Sequence, residues 1–429
     1  MLRLSQLIEA WGQAMEEALP GEIVGLGHSI GLLGRLIANS NRIGYDAVAE
    51  HLGGALPLFP ASVARPDVLN RLLREHGMDA AADAQVASVE LLDIKSISSN
   101  CNNSVVRVKP RTPNSSLPST FFVKLPSTQL WTRLFCNLLG IWRNECHFYR
   151  HAASRVPIRV PQAYVAAAQG SRFVLVLEDL NAAGDLRLFT NPDMIAGVNV
   201  ERAKKCLSAF AALHASFHGL SVEERAAILP PELHPFNSPR ARVLSPVLSR
   251  AAIAPCHRKA PELFPKDMVE LYQHAMSKYD TLLAYWYREP LTLIHGDSHL
   301  GNFFVTGDRM GMLDWQAVQW AKGIRDVQYF LINSMREELL AAKERELIEH
   351  YVAELASHGV MLPYAEAWAQ YRAYSFQTLM TSVVSLGTAS MTDMDEVLRT
   401  ILGRSVAAVR RVGFADWLDG ELPPSIATP

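Results

Sequence analysis

The chain has 429 residues, a formal net charge of −2 and 49% hydrophobic residues, ample to bury a sizeable core in two or three domain-sized units. Near-neutral charge argues against a nucleic-acid partner, which calls for a basic face. Its five cysteines (Cys101, Cys136, Cys146, Cys206, Cys256) are odd in number and form no C-x-x-C pair, so neither a disulfide framework nor a cysteine zinc site is expected and a reducing, cytoplasmic setting fits.

The first residues hold no apolar run behind a basic head. The most apolar early stretch, Ile30 to Ile37, is short and contains Arg35, so neither a secretory signal nor a membrane span is expected. Residues 1 to about 60 read as amphipathic and helical, and Pro57, Pro60 and Pro66 then punctuate the chain. Arg65-Pro66-Asp67 ahead of Val68, Leu69, Leu72 and Leu73 predicts a helix start with an apolar stripe. From Val86 the texture changes. Val86 to Ile97, Val105 to Val108 and Phe121 to Lys124 are short β-branched or aromatic runs between Ser/Asn/Pro loops, the pattern of strands. Trp131 to His151 predicts one helix, and Phe173 to Leu177 a buried strand. Helices are expected over Val200–His218, Lys266–Trp286, Arg336–Ser357 and Tyr364–Leu386, with Leu291 to Trp315 the exception. A small strand-rich part thus precedes a larger helical part.

That exceptional segment carries the chemistry. It contains His295-Gly296-Asp297, with Asn302 five positions after the aspartate, and then Gly311-Met-Leu-Asp314-Trp315-Gln316. Apolar runs flank both polar clusters, which puts the polar groups in loops at strand ends. Phosphoryl transfer needs positioning and charge neutralisation more than covalent chemistry. One carboxylate must orient an attacking hydroxyl and take its proton, and Asp297 is the candidate. Mg²⁺ is a hard ion that takes oxygen ligands, which Asn302 and Asp314 can offer. Alone, Asp297 and Asn302 would read as turn caps. With His295, Gly296 and a second aspartate closing the next strand pair, the catalytic reading prevails.

This loop, its hairpin and the Asp-Trp pair resemble those of aminoglycoside and choline kinases. The Asp314-Trp315-Gln316 form, followed by Gly323-Ile-Arg-Asp326-Val-Gln-Tyr329-Phe330-Leu331, most resembles the ecdysteroid-kinase-like (CHK) branch. The resemblance covers about residues 85 to 390. It implies an α+β, bilobal protein-kinase-like fold with a strand-rich N-lobe and a helical C-lobe: an extension over 1–84, an N-lobe over 85–180 and a C-lobe over 181–429. It also implies ATP and Mg²⁺ as cofactors and a small-molecule hydroxyl acceptor. Asp297 and His295 would be catalytic, Asn302 and Asp314 metal ligands, and Asp326 a support beside the loop. Lys124 would hold the ATP phosphates, paired with Glu145 on the next helix, and the main chain from Glu178 to Leu180 would meet the adenine edge. At the phosphate loop the chain departs from the pattern: Ser96 to Ser104 has no glycine. Ser98, Ser99, Asn100 and Asn103 would cover the phosphates there, since asparagine tolerates a left-handed backbone. His214 reads as a packed helical histidine, and His218 and His299 as structural. Trp368, Tyr371, Tyr374 and Phe376 read as core, with an apolar acceptor pocket as the alternative. The rival in another class is a pseudokinase that binds nucleotide or a partner without phosphotransfer. A protein kinase is disfavoured by the missing H-R-D arginine and the missing A-P-E. Neither the acceptor's identity nor the oligomeric state can be read from the sequence.

Overall fold

The structure is a computed structural model that describes residues 38–46, 48–49, 55–78, 84–92, 101–112, 117–182, 184–388 and 395–424. The first described part is a helix-capped sheet. Helix α1 (Pro66–His76) starts where the Arg65-Pro66-Asp67 signal predicts, with proline in its first turn, Asp67 beside it, and Arg74 and His76 in the last turn, all matched to the helix dipole. Strands β1 (Val86–Leu92), β2 (Cys101–Pro110), β3 (Thr120–Pro126), β4 (Ala163–Gln169) and β5 (Arg172–Glu178) form an antiparallel sheet in the order β1-β2-β3-β5-β4.

Strand alternation sorts its side chains into two layers. Phe121, Val123 and Leu125, with Val106, Val108, Val165, Val174 and Val176, pack under Leu69, Leu72 and Leu73 of α1. The opposite face, with Cys101, Ala166, Phe173, Leu175 and Leu177, joins a larger core that continues into the helical part. Lys124 falls between Val123 and Leu125 and therefore faces that second side.

The expected single helix over 131–151 is two, α2 (Leu130–Leu139) and α3 (Ile141–His151). Gly140 lies between them with φ 75°, a left-handed conformation that ends the first helix and that only glycine adopts cheaply. Residues 102–104, expected in a loop, are strand: Asn102, Asn103 and Ser104 pair with Leu125, Lys124 and Val123. Their short polar side chains disguise a ladder that β3 completes. Ser98, Ser99 and Asn100 lie outside the described residues.

The second part is mostly helical. Its long helices are α4 (Val200–Ser216), α5 (Pro239–Lys259), α6 (Lys266–Ser277), α7 (Tyr279–Trp286), α8 (Ile324–Ser334), α9 (Glu337–Ser357), α10 (Tyr364–Thr388) and α11 (Asp395–Arg411). The span 266–286 again divides, at Lys278. Three short strand pairings interrupt the helices. β6 (Leu186–Leu188) pairs with β8 (Phe303–Thr306), β8 turns into β9 (Arg309–Met312), and β7 (Thr292–Ile294) pairs with β10 (Gln319–Ala321). Tyr371, Tyr374 and Phe376 are fully buried. Tyr371 donates to Glu344 at 2.7 Å and Tyr374 to the Trp286 carbonyl at 2.6 Å, so these aromatics serve the core. The fold is thus α+β and bilobal, a sheet lobe above a helical one. Among the described residues no helix is long and apolar enough to cross a membrane.

Candidate active site

Lys124 leaves the sheet toward α3, and its ammonium is buried among three carboxylate oxygens. It donates to Glu145 Oε1 at 2.9 Å and Oε2 at 2.7 Å, and to Asp314 Oδ1 at 2.9 Å. Burial opposes the lysine's charge, but Asp314 and Glu145 outweigh it and hold the ammonium well above its usual range. One cation thus serves two carboxylates. Asp314 is the more exposed, at 30% of its side chain against 1% for Glu145. Burial acts against its charge too, yet Lys124 keeps it below the ordinary carboxylate range. Desolvation falls hardest on Glu145 and pushes it up to about 7, against the pull of Lys124.

Helix α3 is locked to the segment after Asp314. Asn144 donates to the carbonyls of Gln316 (3.0 Å) and Val318 (2.7 Å), and Phe148 stacks on Trp315 with ring centres 4.1 Å apart. Asp314 itself has φ 63°, the one left-handed non-glycine among the described residues. Such strain persists only where the surroundings enforce it.

Beside this cluster runs the loop from His295 to Asn302. Its scaffold is Asp326, fully buried at the start of α8, whose carboxylate accepts from the His295 N–H (2.7 Å), the Gly296 N–H (2.9 Å) and His214 Nε2 (3.4 Å). Burial opposes Asp326's charge, but its bond with His214 and the nearby histidines keep it below the usual range. Ser298 donates to the Asp326 carbonyl at 2.9 Å, Ser334 accepts from the Leu300 N–H at 2.9 Å, and Arg325 donates to the Gly296 carbonyl at 2.6 Å. Gly296 has φ 83°, and a Cβ there would stand 2.0 Å from the Ala317 carbonyl, so this turn requires glycine.

His295 lies beneath the loop, fully buried, with burial pushing its pKa down. Its Nε2 donates to the Leu313 carbonyl at 3.0 Å and its Nδ1 accepts from the Asp297 N–H at 3.3 Å. Both ring nitrogens are therefore engaged with main chain, and the ring braces the loop from below. Asp297 stays partly open at 26%. Asn302 donates through Nδ2 to the Asp297 carbonyl (2.8 Å) and carboxylate (3.4 Å), which leaves Oδ1 without a partner among the described residues.

Glu178, at the end of β5, pairs with Arg159 and accepts from the Gln162 N–H at 3.1 Å. Leu180 follows, buried in a short turn. Asn103 sits opposite Lys124 in the β2–β3 register, its Oδ1 buried without a partner among the described residues. Sequence reasoning thus names Lys124, Glu145, Asp297, Asn302 and Asp314, and the fold brings them together. It does not single out the clamps Asn144, Ser298, Arg325 and Ser334, although Asn144, Ser298 and Arg325 stand next to Glu145, Asp297 and Asp326 in the chain.

The donor set of Asn302 and Asp314 is oxygen only. Oxygen ligands without a histidine or thiolate suit Mg²⁺. Among the described residues no three His, Cys, Asp or Glu side chains converge on a metal position. The buried Lys124 ammonium suits a polyphosphate nucleotide on that face.

The sequence profile of the ecdysteroid kinase-like family matches residues 104–364, more than half of the chain. No curated protein matches significantly. Among solved structures, ethanolamine kinase from Plasmodium vivax is similar at 12% identity and a TM-score of 0.45, covering 74% of this chain and 82% of its own. Choline kinase LicA from Streptococcus pneumoniae is similar at 13% and 0.43, covering 76% and 94%. A GDP complex of aminoglycoside 2'-phosphotransferase-IIIa is similar at 14% and 0.44, covering 76% and 94%.

Proposed function

The chain belongs to the ecdysteroid kinase-like family, and on that premise we propose that it is an ATP- and Mg²⁺-dependent kinase that moves the γ-phosphoryl group to a hydroxyl of a small molecule. The observation that carries this reading is the shared ammonium of Lys124, bonded at once to Glu145 and Asp314 while the Asp297 loop runs alongside. A scaffold kept for binding alone has no need of that complete set.

Each residue then has a task. Lys124, fixed by Glu145, receives the nucleotide's phosphates. Asp314 and Asn302 Oδ1 would hold Mg²⁺, which when bound neutralises charge on the phosphates. Asp297 hydrogen-bonds the acceptor hydroxyl and takes its proton as the oxygen attacks phosphorus and the bond to the bridging oxygen breaks, releasing ADP. His295 keeps the loop in register. The main chain of Glu178 to Leu180 would meet the adenine edge, and Asn103, with Ser98, Ser99 and Asn100, would face the phosphates.

Calorimetric titration of MgATP tests the nucleotide site: wild-type protein binds, and Asp314→Ala does not. A metabolite-extract screen with labelled ATP and mass-spectrometric detection identifies the phosphorylated acceptor. MgATP binding with no product from any extract would return the pseudokinase alternative; Asp314→Ala binding MgATP like wild type would remove the metal assignment.

A further inference from the structure

His299 reads from the sequence as a structural histidine, but its surroundings give it a direction. Its Nδ1 accepts a hydrogen bond from the Gly301 N–H at 3.1 Å. A neutral imidazole accepting at Nδ1 carries its proton on Nε2. Gly301 packs directly against the ring: a Cβ there would stand 3.0 Å from His299 Nδ1 and Cε1. A side chain at 301 would crowd the imidazole where it now rests against its own loop. So held, the ring aims Nε2 at the Asp297 carboxylate, with 3.9 Å between Nε2 and Oδ2. That distance is too long for a hydrogen bond. The two side chains are 23% and 26% exposed, so both keep a part open to solvent. His299 therefore stands beside the carboxylate assigned to the acceptor hydroxyl, where the phosphoryl group must arrive.

We propose that His299 is a further catalytic residue, whose Nε2–H donates a hydrogen bond to a non-bridging oxygen of the phosphoryl group in flight. This rests on the kinase reading above. The acceptor's proton goes to Asp297, the new O–P bond forms as the bond to ADP breaks, and His299 keeps its own proton throughout. Its contribution is a fixed dipole placed where charge lies on the equatorial oxygens, stronger in the transition state than in the bound nucleotide.

The test needs no acceptor. MgADP with tetrafluoroaluminate mimics the planar transferring group, and its affinity is compared with that of MgADP alone for wild type, His299→Ala and His299→Gln. The expected result is that His299→Ala weakens the fluoroaluminate complex about ten- to a hundredfold and leaves MgADP unchanged, which also shows that the variant is folded. His299→Gln, with an amide N–H to donate, should recover most of that loss. Equal affinity of wild type and His299→Ala for the fluoroaluminate complex would overturn the assignment. So would a parallel loss of MgADP and fluoroaluminate affinity in both variants, because a structural role weakens both alike. Wild-type protein that binds no MgADP would bring down the kinase reading itself, and this assignment with it.

Discussion

The lysine cluster and the catalytic loop are neighbours joined at Leu313, yet opposite forces hold them. Leu313 accepts from His295 on one side, and the next residue, Asp314, accepts from Lys124 on the other. Around Lys124 the contacts are ionic, buried and unbalanced, with two carboxylates to one ammonium. Around Asp297 they are chiefly hydrogen bonds between side chains and main chain, each with its partner: Asp326 to two N–H groups, Ser298 and Arg325 to carbonyls, Ser334 to an N–H. A loop satisfied in that way keeps its shape before any substrate arrives. A cluster with a surplus carboxylate can release one, and the exposed member is Asp314. A fixed shape is thus built into one region, and a carboxylate open to a further partner into the other.

The largest test of that division leaves the loop's shape alone. Asp297→Asn keeps the volume and the main-chain bonds but removes the proton acceptor. Turnover should fall by about 10²–10⁴-fold, with the melting temperature unchanged. Near-normal turnover in a well-folded variant would remove Asp297 from the mechanism.

Asp326→Ala should do the reverse and break the scaffold. It leaves two buried N–H groups and His214 without their acceptor, an expected cost of about 3–5 kcal/mol in a urea titration. A loss below about 1 kcal/mol would mean that the loop does not depend on this carboxylate.

A third test uses pH. His234 is buried where Nε2 donates to the Trp320 carbonyl at 3.0 Å and Nδ1 accepts from the N–H groups of Phe236 (3.2 Å) and Asn237 (2.9 Å), which leaves no room for a second ring proton. Burial lowers its pKa from 6.5 to about 4. A depressed folded-state pKa gives stability that is fully present above 6.5 and is lost as the pH falls toward 4. The shift corresponds to about 3 kcal/mol over that window. His234→Gln should flatten this part of the stability–pH curve, and an unchanged slope would contradict the assignment.

The smallest effect concerns the join between the two parts. Asn144→Ala removes donors from two carbonyls after Asp314 and should cost about 1–3 kcal/mol. It should also weaken MgATP binding more than acceptor binding, because it loosens α3 and with it Glu145.

Local patterns made much of this site legible. The Arg65-Pro66-Asp67 helix start, the alternating strands around Phe121 and the His295-to-Asn302 spacing are short-range features with short-range causes. Two misreadings share another cause. Asn102 to Ser104 looked like loop because polar side chains do not announce a strand; only the register with β3 makes them one. The single helix over 131–151 looked continuous because a glycine inside a helical pattern is usually tolerated, whereas Gly140 takes a left-handed turn.

The sequence by itself determined which chemical groups are present and in what order: a lysine closing a strand, a glutamate on the next helix, and an aspartate, an asparagine and a second aspartate in one strand-flanked stretch. It also determined the helix start at Pro66, because φ and ψ preferences act between neighbours. The tertiary structure alone decided which carboxylates Lys124 holds, since Glu145 is 21 positions away and Asp314 is 190. It alone decided that Asp326 carries the loop and that His299 faces Asp297. Burial and charge pairing are properties of the space around a group, and that space is filled by parts of the chain that no local pattern names.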